Sequence, residues 1–279
     1  MNEKYYLNSD ILEICQNLKK YNKNFEGKKF LISGANGFLG KYFIKSLIQM
    51  NVNLKKKIRI LAIDIKFDKC EIFKDKNVKI FKIDINKIKN INLRYDYVLH
   101  AAGIPSPKHY FKKPIEAIFT SITGTKKLLD YAKKNKSKFI FFSSSEIYGD
   151  PHPNEIPTRE YYNGNVTSIG PRSCYDESKR VGETICYIQN KHFNKNTTII
   201  RPFNVYGPGM SLKDYRIIPN ITKSIIDGDL LEIYDTGLQT RTYCYVVDAL
   251  NGFLRAIFRK EKFEVYNIGN TNGEISVLD

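Results

Sequence analysis

The chain contains 279 residues, which is enough for a complete hydrophobic core in one large or two fused domains. Its 45 basic and 29 acidic residues give a net charge of +16, so nucleic-acid binding has to be considered. The lysines are scattered over the whole length, however, and a solvated basic surface is the simpler interpretation. We expect no nucleic-acid partner.

Two further features of the composition limit the class of protein. No apolar run approaches the roughly 18 residues of a membrane span, which argues against a membrane partner. The five cysteines are odd in number and lack the spacing of metal ligands. Reduced thiols in a cytoplasmic protein without a metal site are the simplest interpretation.

Residues 1–26 predict a short N-terminal helical extension. Ser9 or Asp10 is the expected N-cap, because short polar side chains accept hydrogen bonds from the first turn of a helix. Apolar side chains then recur at helical spacing, and we expect them to pack on a sheet edge or on a partner subunit: Ile11, Leu12, Ile14, Cys15 and Leu18.

A glycine-rich turn follows the first predicted strand, Phe30–Ser33, and precedes a predicted helix over Phe38–Met50. Strand, glycine turn and helix together are typical of a dinucleotide-binding site, in which glycines let the backbone approach a pyrophosphate at a helix N-terminus. An ordinary glycine turn is the alternative. The candidate cofactor contacts in this segment are Gly34, Asn36, Gly37, Phe38, Leu39 and Gly40.

The second predicted strand, Ile58–Asp64, ends in an acid 24 residues after Gly40. Dinucleotide-binding folds carry a ribose-binding acid at about this distance, roughly 20 residues on. A carboxylate there accepts hydrogen bonds from the adenosine ribose and repels a 2′-phosphate. Asp64 therefore favours NAD over NADP, a preference that the nearby Lys66 moderates.

Further short apolar strands follow in the same rhythm, at residues 78–83, 97–99, 138–142 and 197–200, with helices predicted over 113–134 and 175–192. This alternation predicts an α/β, Rossmann-type doubly wound parallel sheet. We assign 27–200 to a dinucleotide-binding domain and 201–279 to a smaller, interleaved substrate-binding part. Because ligands bind beyond the carboxyl ends of such strands, four residues there are further cofactor candidates: Asp84, Ile85, Ala101 and Ala102.

Tyr175 and Lys179 are four residues apart on the predicted helix 175–192, and so lie one turn apart on the same face. A fixed cation beside a tyrosine lowers the pKa of the phenol, which suits it to take a proton from a sugar hydroxyl. Such pairs also occur by chance on many helices, and the pair gains weight from the other motifs.

With these motifs, the chain resembles the extended short-chain dehydrogenase/reductases of the NAD-dependent epimerase/dehydratase family. Within that family its motifs are most similar to those of the UDP-glucuronate decarboxylases. The resemblance runs from about Lys28 to Asp279, and its most specific stretches are 143–151, 170–187, 201–208 and 239–248.

The resemblance implies transient oxidation of a nucleotide sugar at C4 with bound NAD. Tyr175 would deprotonate the C4 hydroxyl, Lys179 would lower its pKa and hold the nicotinamide ribose, and Ser144 would bond the same oxygen. A ketone at C4 makes the C5 carboxylate that of a β-keto acid, so that loss of CO2 leaves a stabilised enolate. The implied product is a UDP-pentose, UDP-xylose.

Ser145 and Glu146 separate this subfamily from its relatives. The 4,6-dehydratases typically carry an Asp-Glu pair here, and the 4-epimerases usually lack the second acid. The Ser-Glu pair is similar to that of the decarboxylases, in which the glutamate assists substrate distortion or proton transfer. A structural glutamate bonded to neighbouring backbone is the alternative, and an epimerase, a dehydratase or a non-catalytic NAD-binding homologue are the alternative functions.

The resemblance also implies a substrate site and an oligomeric state. The candidate substrate-binding residues are Pro105, Ser145, Glu146, Asn204, Arg216 and Arg241, with a surface salt bridge as the alternative for Arg216. Family members continue beyond the position of Asp279 with a further arginine, so we expect a truncated chain. A homodimer through a four-helix interface is expected, with interface positions among Ile118, Ile122, Leu129, Val181, Ile185 and Ile188.

Overall fold

A computed structural model describes residues 6–193, 196–231, 233, 236–259, 261 and 263–279. Within these residues the centre of the fold is a seven-stranded parallel sheet of order β10-β6-β5-β4-β1-β2-β3. The strands are β1 (Lys29–Ser33), β2 (Arg59–Asp64), β3 (Val78–Lys82), β4 (Tyr97–His100), β5 (Lys138–Phe142), β6 (Thr197–Pro202), β7 (Val205–Tyr206), β8 (Thr240–Thr242), β9 (Cys244–Tyr245), β10 (Phe263–Ile268) and β11 (Glu274–Ser276). The six strands predicted first along the chain are confirmed within one or two residues.

Helices cover both faces of this sheet, which confirms the doubly wound α/β prediction. The α-helices of the described residues are α1 (Asn8–Asn17), α2 (Asn22–Phe25), α3 (Phe38–Met50), α4 (Pro107–Tyr110), α5 (Pro114–Asn135), α6 (Ser173–Phe193), α7 (Ile217–Asp227) and α8 (Val246–Ile257). Side chains on β1 alternate between the two layers. Phe30 and Ile32 lie in the cluster that contains α1, α3 and α8, whereas Leu31 lies in the cluster under α5 and α6.

The register of the sheet brings the predicted motifs together at the carboxyl ends of the strands. Ser33, at the end of β1, is paired with Ile63 on one side and with His100 on the other. The glycine turn, Asp64 and Ala101 therefore follow neighbouring strand ends. Because β5 pairs with β4, the Ser144–Glu146 segment, which follows β5, lies at the same end of the strands.

The predicted N-cap of the first helix is wrong. Helix α1 begins at Asn8 after Leu7, and no side chain among the described residues caps it. Asp10 lies within the first turn, where its buried carboxylate accepts hydrogen bonds from the hydroxyls of Tyr42 and Tyr245, both at 3.0 Å. The Asp10 carboxylate therefore accepts hydrogen bonds from two tyrosines far away in the chain instead of capping its own helix.

The segment 201–279 is shared between the main sheet and smaller structures. β10 pairs with β6 at the edge of the seven-stranded sheet, while β7 pairs with β9 and β8 with β11 in two-stranded sheets. The domain boundaries at 26 and 200 stay predictions. A search of the helices over the described residues finds none with both the length and the apolar character needed to cross a membrane.

Candidate active site

The glycine turn between β1 and α3 forms a cradle that side chains would fill. Gly34 has a φ of +74°, and a Cβ there would lie 2.7 Å from the Ala101 carbonyl and from the Ala102 nitrogen. At Gly40 a Cβ would overlap the Gly34 carbonyl oxygen. The turn therefore leaves open backbone at the N-terminus of α3, where Phe38 and Leu39 begin the helix, and a pyrophosphate fits such a site.

The acid at the end of β2 holds this turn in place. The Asp64 carboxylate accepts the backbone N–H of Asn36 at 2.9 Å and that of Ile65 at 2.8 Å. Burial raises the pKa of Asp64, and these N–H donors oppose the rise. Asn36 in turn accepts the N–H of Asp68 at 3.2 Å, and Asp68 forms an ion pair of 2.7 Å with the buried Lys41. Sequence reasoning missed this pair, because its partners come from separate segments.

The remaining cofactor candidates lie at the ends of β3 and β4. Asp84 uses its carboxylate to cap a short turn, accepting the Asn86 N–H at 2.9 Å. Ile85 is buried in the core next to Gly124 of α5. Ala101 and Ala102 lie against Gly34, so they border the cradle directly.

Tyr175, Lys179 and Ser144 come together beyond the ends of β4 and β5. Tyr175 is 7% exposed and hydrogen-bonds with Ser144, and its ring stacks on that of Tyr110 at 5.5 Å and 11°. The Lys179 Nζ lies 5.8 Å from the centroid of the Tyr175 ring and donates to the Phe142 carbonyl at 2.8 Å.

The ionisation of this pair differs from the expectation. Burial raises the pKa of Tyr175 to about 12, while the bond from Ser144 opposes the rise. Burial also lowers the pKa of Lys179 to about 8, against the charge of Glu183. The expected lowering of the tyrosine pKa is wrong for this arrangement, because the ammonium is bonded to a backbone carbonyl and the loss of hydration dominates.

Glu146 forms an ion pair with Arg172, which sequence reasoning did not single out. Its side chain is 35% exposed and that of Arg172 is 49% exposed, so both groups border the open part of the site. Behind the guanidinium, Asp176 lies 3.6 Å from its Nε. Burial raises the pKa of Asp176 to about 6, and the charge of Arg172 opposes this. Arg172 lies inside the 170–187 motif, so the signal was present in the sequence.

The remaining substrate candidates occupy several different elements. Pro105 is exposed ahead of α4, and Ser145 begins the turn that carries Glu146. Asn204, with a φ of +39°, donates to the Thr242 carbonyl at 3.0 Å.

The two arginine candidates have local partners. Arg216 forms an ion pair of 2.6 Å with Asp214, which is the predicted alternative, and its charge still reaches Tyr175. Arg241 is exposed on β8 and donates to the Thr240 carbonyl. Over the described residues, no group of three or more His, Cys, Asp or Glu side chains could hold a metal ion.

These features define a class of protein: a Rossmann-type α/β chain with a dinucleotide cradle and a Tyr-x-x-x-Lys pair beside it. The profile of the NAD dependent epimerase/dehydratase family matches residues 30–269. The chain belongs to this family, and its cofactor is NAD.

Curated relatives that the chain resembles include decarboxylases. UDP-glucuronic acid decarboxylase 1 of Arabidopsis thaliana is 33% identical over 256 residues, covering 90% of this chain and 56% of that protein. UDP-glucuronic acid decarboxylase 6 of the same plant is 32% identical, covering 90% of this chain and 71% of that protein. The chain thus spans a little over half the length of the first of them.

A solved structure with similar architecture is that of an epimerase. The UDP-glucuronic acid 4-epimerase from Bacillus cereus, in complex with UDP-glucuronic acid and NAD, is 27% identical with a TM-score of 0.72. The match covers 90% of this chain and 80% of that one. This chain therefore shares its fold and its NAD cofactor with that epimerase.

Proposed function

We propose that this chain modifies a UDP-sugar by transient oxidation at C4, and that its reaction is the decarboxylation of UDP-glucuronate to UDP-xylose. The observation that carries the proposal is the Ser145-Glu146 pair beside Tyr175, Lys179 and Ser144. It supplies a carboxylate next to the reacting carbon without the second acid of the dehydratases. The names of the curated relatives support the same reaction.

Each residue of the site has a separate task in this reaction. Bound NAD supplies a hydride acceptor at C4 and returns the hydride. Tyr175, once it has lost its own proton, takes that of the C4 hydroxyl, and Ser144, bonded to the same phenol, orients that oxygen. The Lys179 ammonium supplies positive charge next to the ring of Tyr175 and holds the nicotinamide ribose. Glu146 lies on the side where CO2 leaves and a proton returns to C5.

A 4-epimerase is the second candidate, because similar solved structures are epimerases that bind the same uronate. Both reactions begin with removal of the same proton by Tyr175. They differ in the fate of the 4-keto sugar, since an epimerase retains the carboxylate and inverts C4. The 4,6-dehydratase has less support, because Ser145 stands where that reaction needs an acid.

The test is to incubate the purified chain with UDP-glucuronate and NAD and to monitor both CO2 and the nucleotide sugar. Equimolar CO2 and UDP-xylose support the proposal. UDP-galacturonate without CO2 would make the chain an epimerase. UDP-glucose as a second substrate reveals a dehydratase through a 4-keto-6-deoxy product.

Tyr175→Phe is expected to lower kcat by about 10²- to 10⁴-fold, the range for loss of a general acid–base group. NAD binding should persist, because the cradle lies on a different element. Product formation and NAD titration by fluorescence measure the two effects. Tyr161→Phe, which changes a phenol that is 72% exposed, is the matched control. Undiminished turnover of Tyr175→Phe would remove the tyrosine from the proposed chemistry.

A further inference from the structure

Arg172 has two acidic partners and remains half-exposed beside Glu146. The buried Asp176, whose side chain is 9% exposed, lies 3.6 Å from the guanidinium Nε. Glu146 is paired with a terminal nitrogen, Nη2, of the same guanidinium. Since Arg172 itself is 49% exposed, it is a fixed but accessible cation. Its pKa is raised by the neighbouring acids, so the charge is permanent.

This cation is close to the atom on which the proposed reaction starts. Ser144, which bonds the Tyr175 phenol, also accepts the backbone N–H of Glu146 at 3.2 Å. Tyr110 stacks on Tyr175 and interacts with the charge of Arg172. In a hexuronate the carboxylate carbon is two bonds from C4. A sugar whose C4 oxygen lies at Tyr175 therefore brings its carboxylate near Glu146.

Two carboxylates at one place repel each other unless a cation lies between them. An arginine has five N–H donors in a planar fork. Asp176 and Glu146 face only Nε and one terminal nitrogen of Arg172, so donors remain for a third carboxylate. We infer that Arg172 binds the carboxylate of the nucleotide uronate beside Glu146 and thereby selects uronates over neutral hexoses. The inference rests on the proposed function, which supplies the uronate.

If Arg172 binds the uronate, replacing Glu146 should change uronate binding in a way that a purely structural Glu146–Arg172 ion pair would not predict. Glu146 and the substrate carboxylate share one guanidinium, so removing the charge of Glu146 should strengthen uronate binding. A neutral sugar offers no second carboxylate, and its binding should change little. The two ligands thus respond differently to the same substitution.

The experiment is calorimetric titration of NAD-saturated protein with UDP-glucuronate and with UDP-glucose, with every protein carrying Tyr175→Phe so that turnover during the titration is slow. Arg172→Gln should weaken UDP-glucuronate binding by roughly 10- to 100-fold, the range for a charge-assisted pair, and leave UDP-glucose within about threefold. Glu146→Gln should bind UDP-glucuronate more tightly than the parent. Arg159→Gln is the control, because Arg159 is exposed and its guanidinium donates a hydrogen bond to the hydroxyl of Tyr161.

Each outcome decides between the inference and the proposed function. If the parent releases CO2 from UDP-glucuronate but Arg172→Gln keeps the parent's ratio of affinities, Arg172 is not the carboxylate site and the proposed function stands. If the parent neither binds nor converts UDP-glucuronate, the proposed function fails. If Arg172→Gln does not fold, as judged by circular dichroism, Glu146→Gln decides: tighter uronate binding supports the inference, and unchanged or weaker binding overturns it.

Discussion

At the scale of single residues, burial governs the ionisable groups around the site. The same loss of hydration raises the pKa of Tyr175 and lowers that of Lys179, so each side chain is driven towards its neutral form. His100 shows the effect more strongly. It is fully buried at the end of β4, 2.8 Å from the Ser33 hydroxyl, and burial with the nearby Lys179 lowers its pKa to about 3.

His100 should make the protein less stable as the pH falls. Between its ordinary value of 6.5 and the folded value near 3, the unfolded chain takes up a proton that the folded chain does not. The contribution of the neutral His100 ring to the free energy of unfolding is fully present above pH 6.5 and is lost as the pH falls through this window. At about 1.4 kcal/mol for each pH unit, the loss at pH 4.5 is roughly 3 kcal/mol.

Urea unfolding of the parent and of His100→Gln at pH 6.5, 5.5 and 4.5 measures this loss. Carboxylates titrate in the same range, so the difference in slope between the two proteins is the relevant quantity. His192→Gln, at an exposed position of α6, controls for loss of an imidazole. Equal slopes for the parent and His100→Gln would contradict the prediction.

At the scale of elements, helix α6 is positioned by close contact with β5. Lys179 crosses from the helix to the Phe142 carbonyl, and Gly182 lies directly on the Phe141 ring. A Cβ at Gly182 would overlap that ring. The position of α6, the helix that carries Tyr175, therefore depends on the absence of a Cβ at Gly182.

Gly182→Ala should lower both stability and turnover. Adding a methyl group to this contact forces α6 away from the sheet, at about 1–3 kcal/mol for overpacking, and displaces Tyr175 from Ser144. Chemical denaturation and kcat for the proposed reaction measure the two effects. Lys191→Ala, at an exposed position near the end of α6, should leave both unchanged. A stable, fully active Gly182→Ala protein would show that the helix does not need this contact.

The elements that the sequence predicted are those with a strong local signal. β1, β2 and α3 combine apolar runs with a glycine turn, and their bounds were predicted within one or two residues. The substrate part was not resolved into elements, because β10 becomes a sheet strand only through its contact with β6, far away in the chain. The pairs Glu146–Arg172 and Lys41–Asp68 were likewise hidden, since each joins segments brought together by folding.

At the scale of the whole molecule, the basic charge is spread along the chain, and helices α5 and α6 each expose large apolar side chains. Ile115 and Phe119 on α5 are 60% and 53% exposed, and Tyr187 and Ile188 on α6 are 52% and 44% exposed. Leu129, which was expected at the interface, lies in the core instead. The two helices pack side by side, so these residues can form one continuous surface for the expected homodimer.

Replacing Phe119 and Ile188 together with glutamate should convert a homodimer into a monomer. Four added negative charges would be buried in one interface between two copies, which is costly because they lose their hydration and repel one another. Light scattering after size exclusion gives the mass of each protein. Ile225→Glu, at a still more exposed position on α7, should remain dimeric. A monomeric parent at micromolar concentration would refute the homodimer.

The position of β10 has a consequence for biosynthesis. β6 ends at Pro202, but the strand that covers its outer edge spans residues 263–268. While the ribosome adds the intervening segment, the nascent chain can assemble six of the seven strands with β6, rather than β10, as an edge strand. A stretch that is translated well after β6 is thus the one that moves β6 into the interior of the sheet and takes its place at the edge.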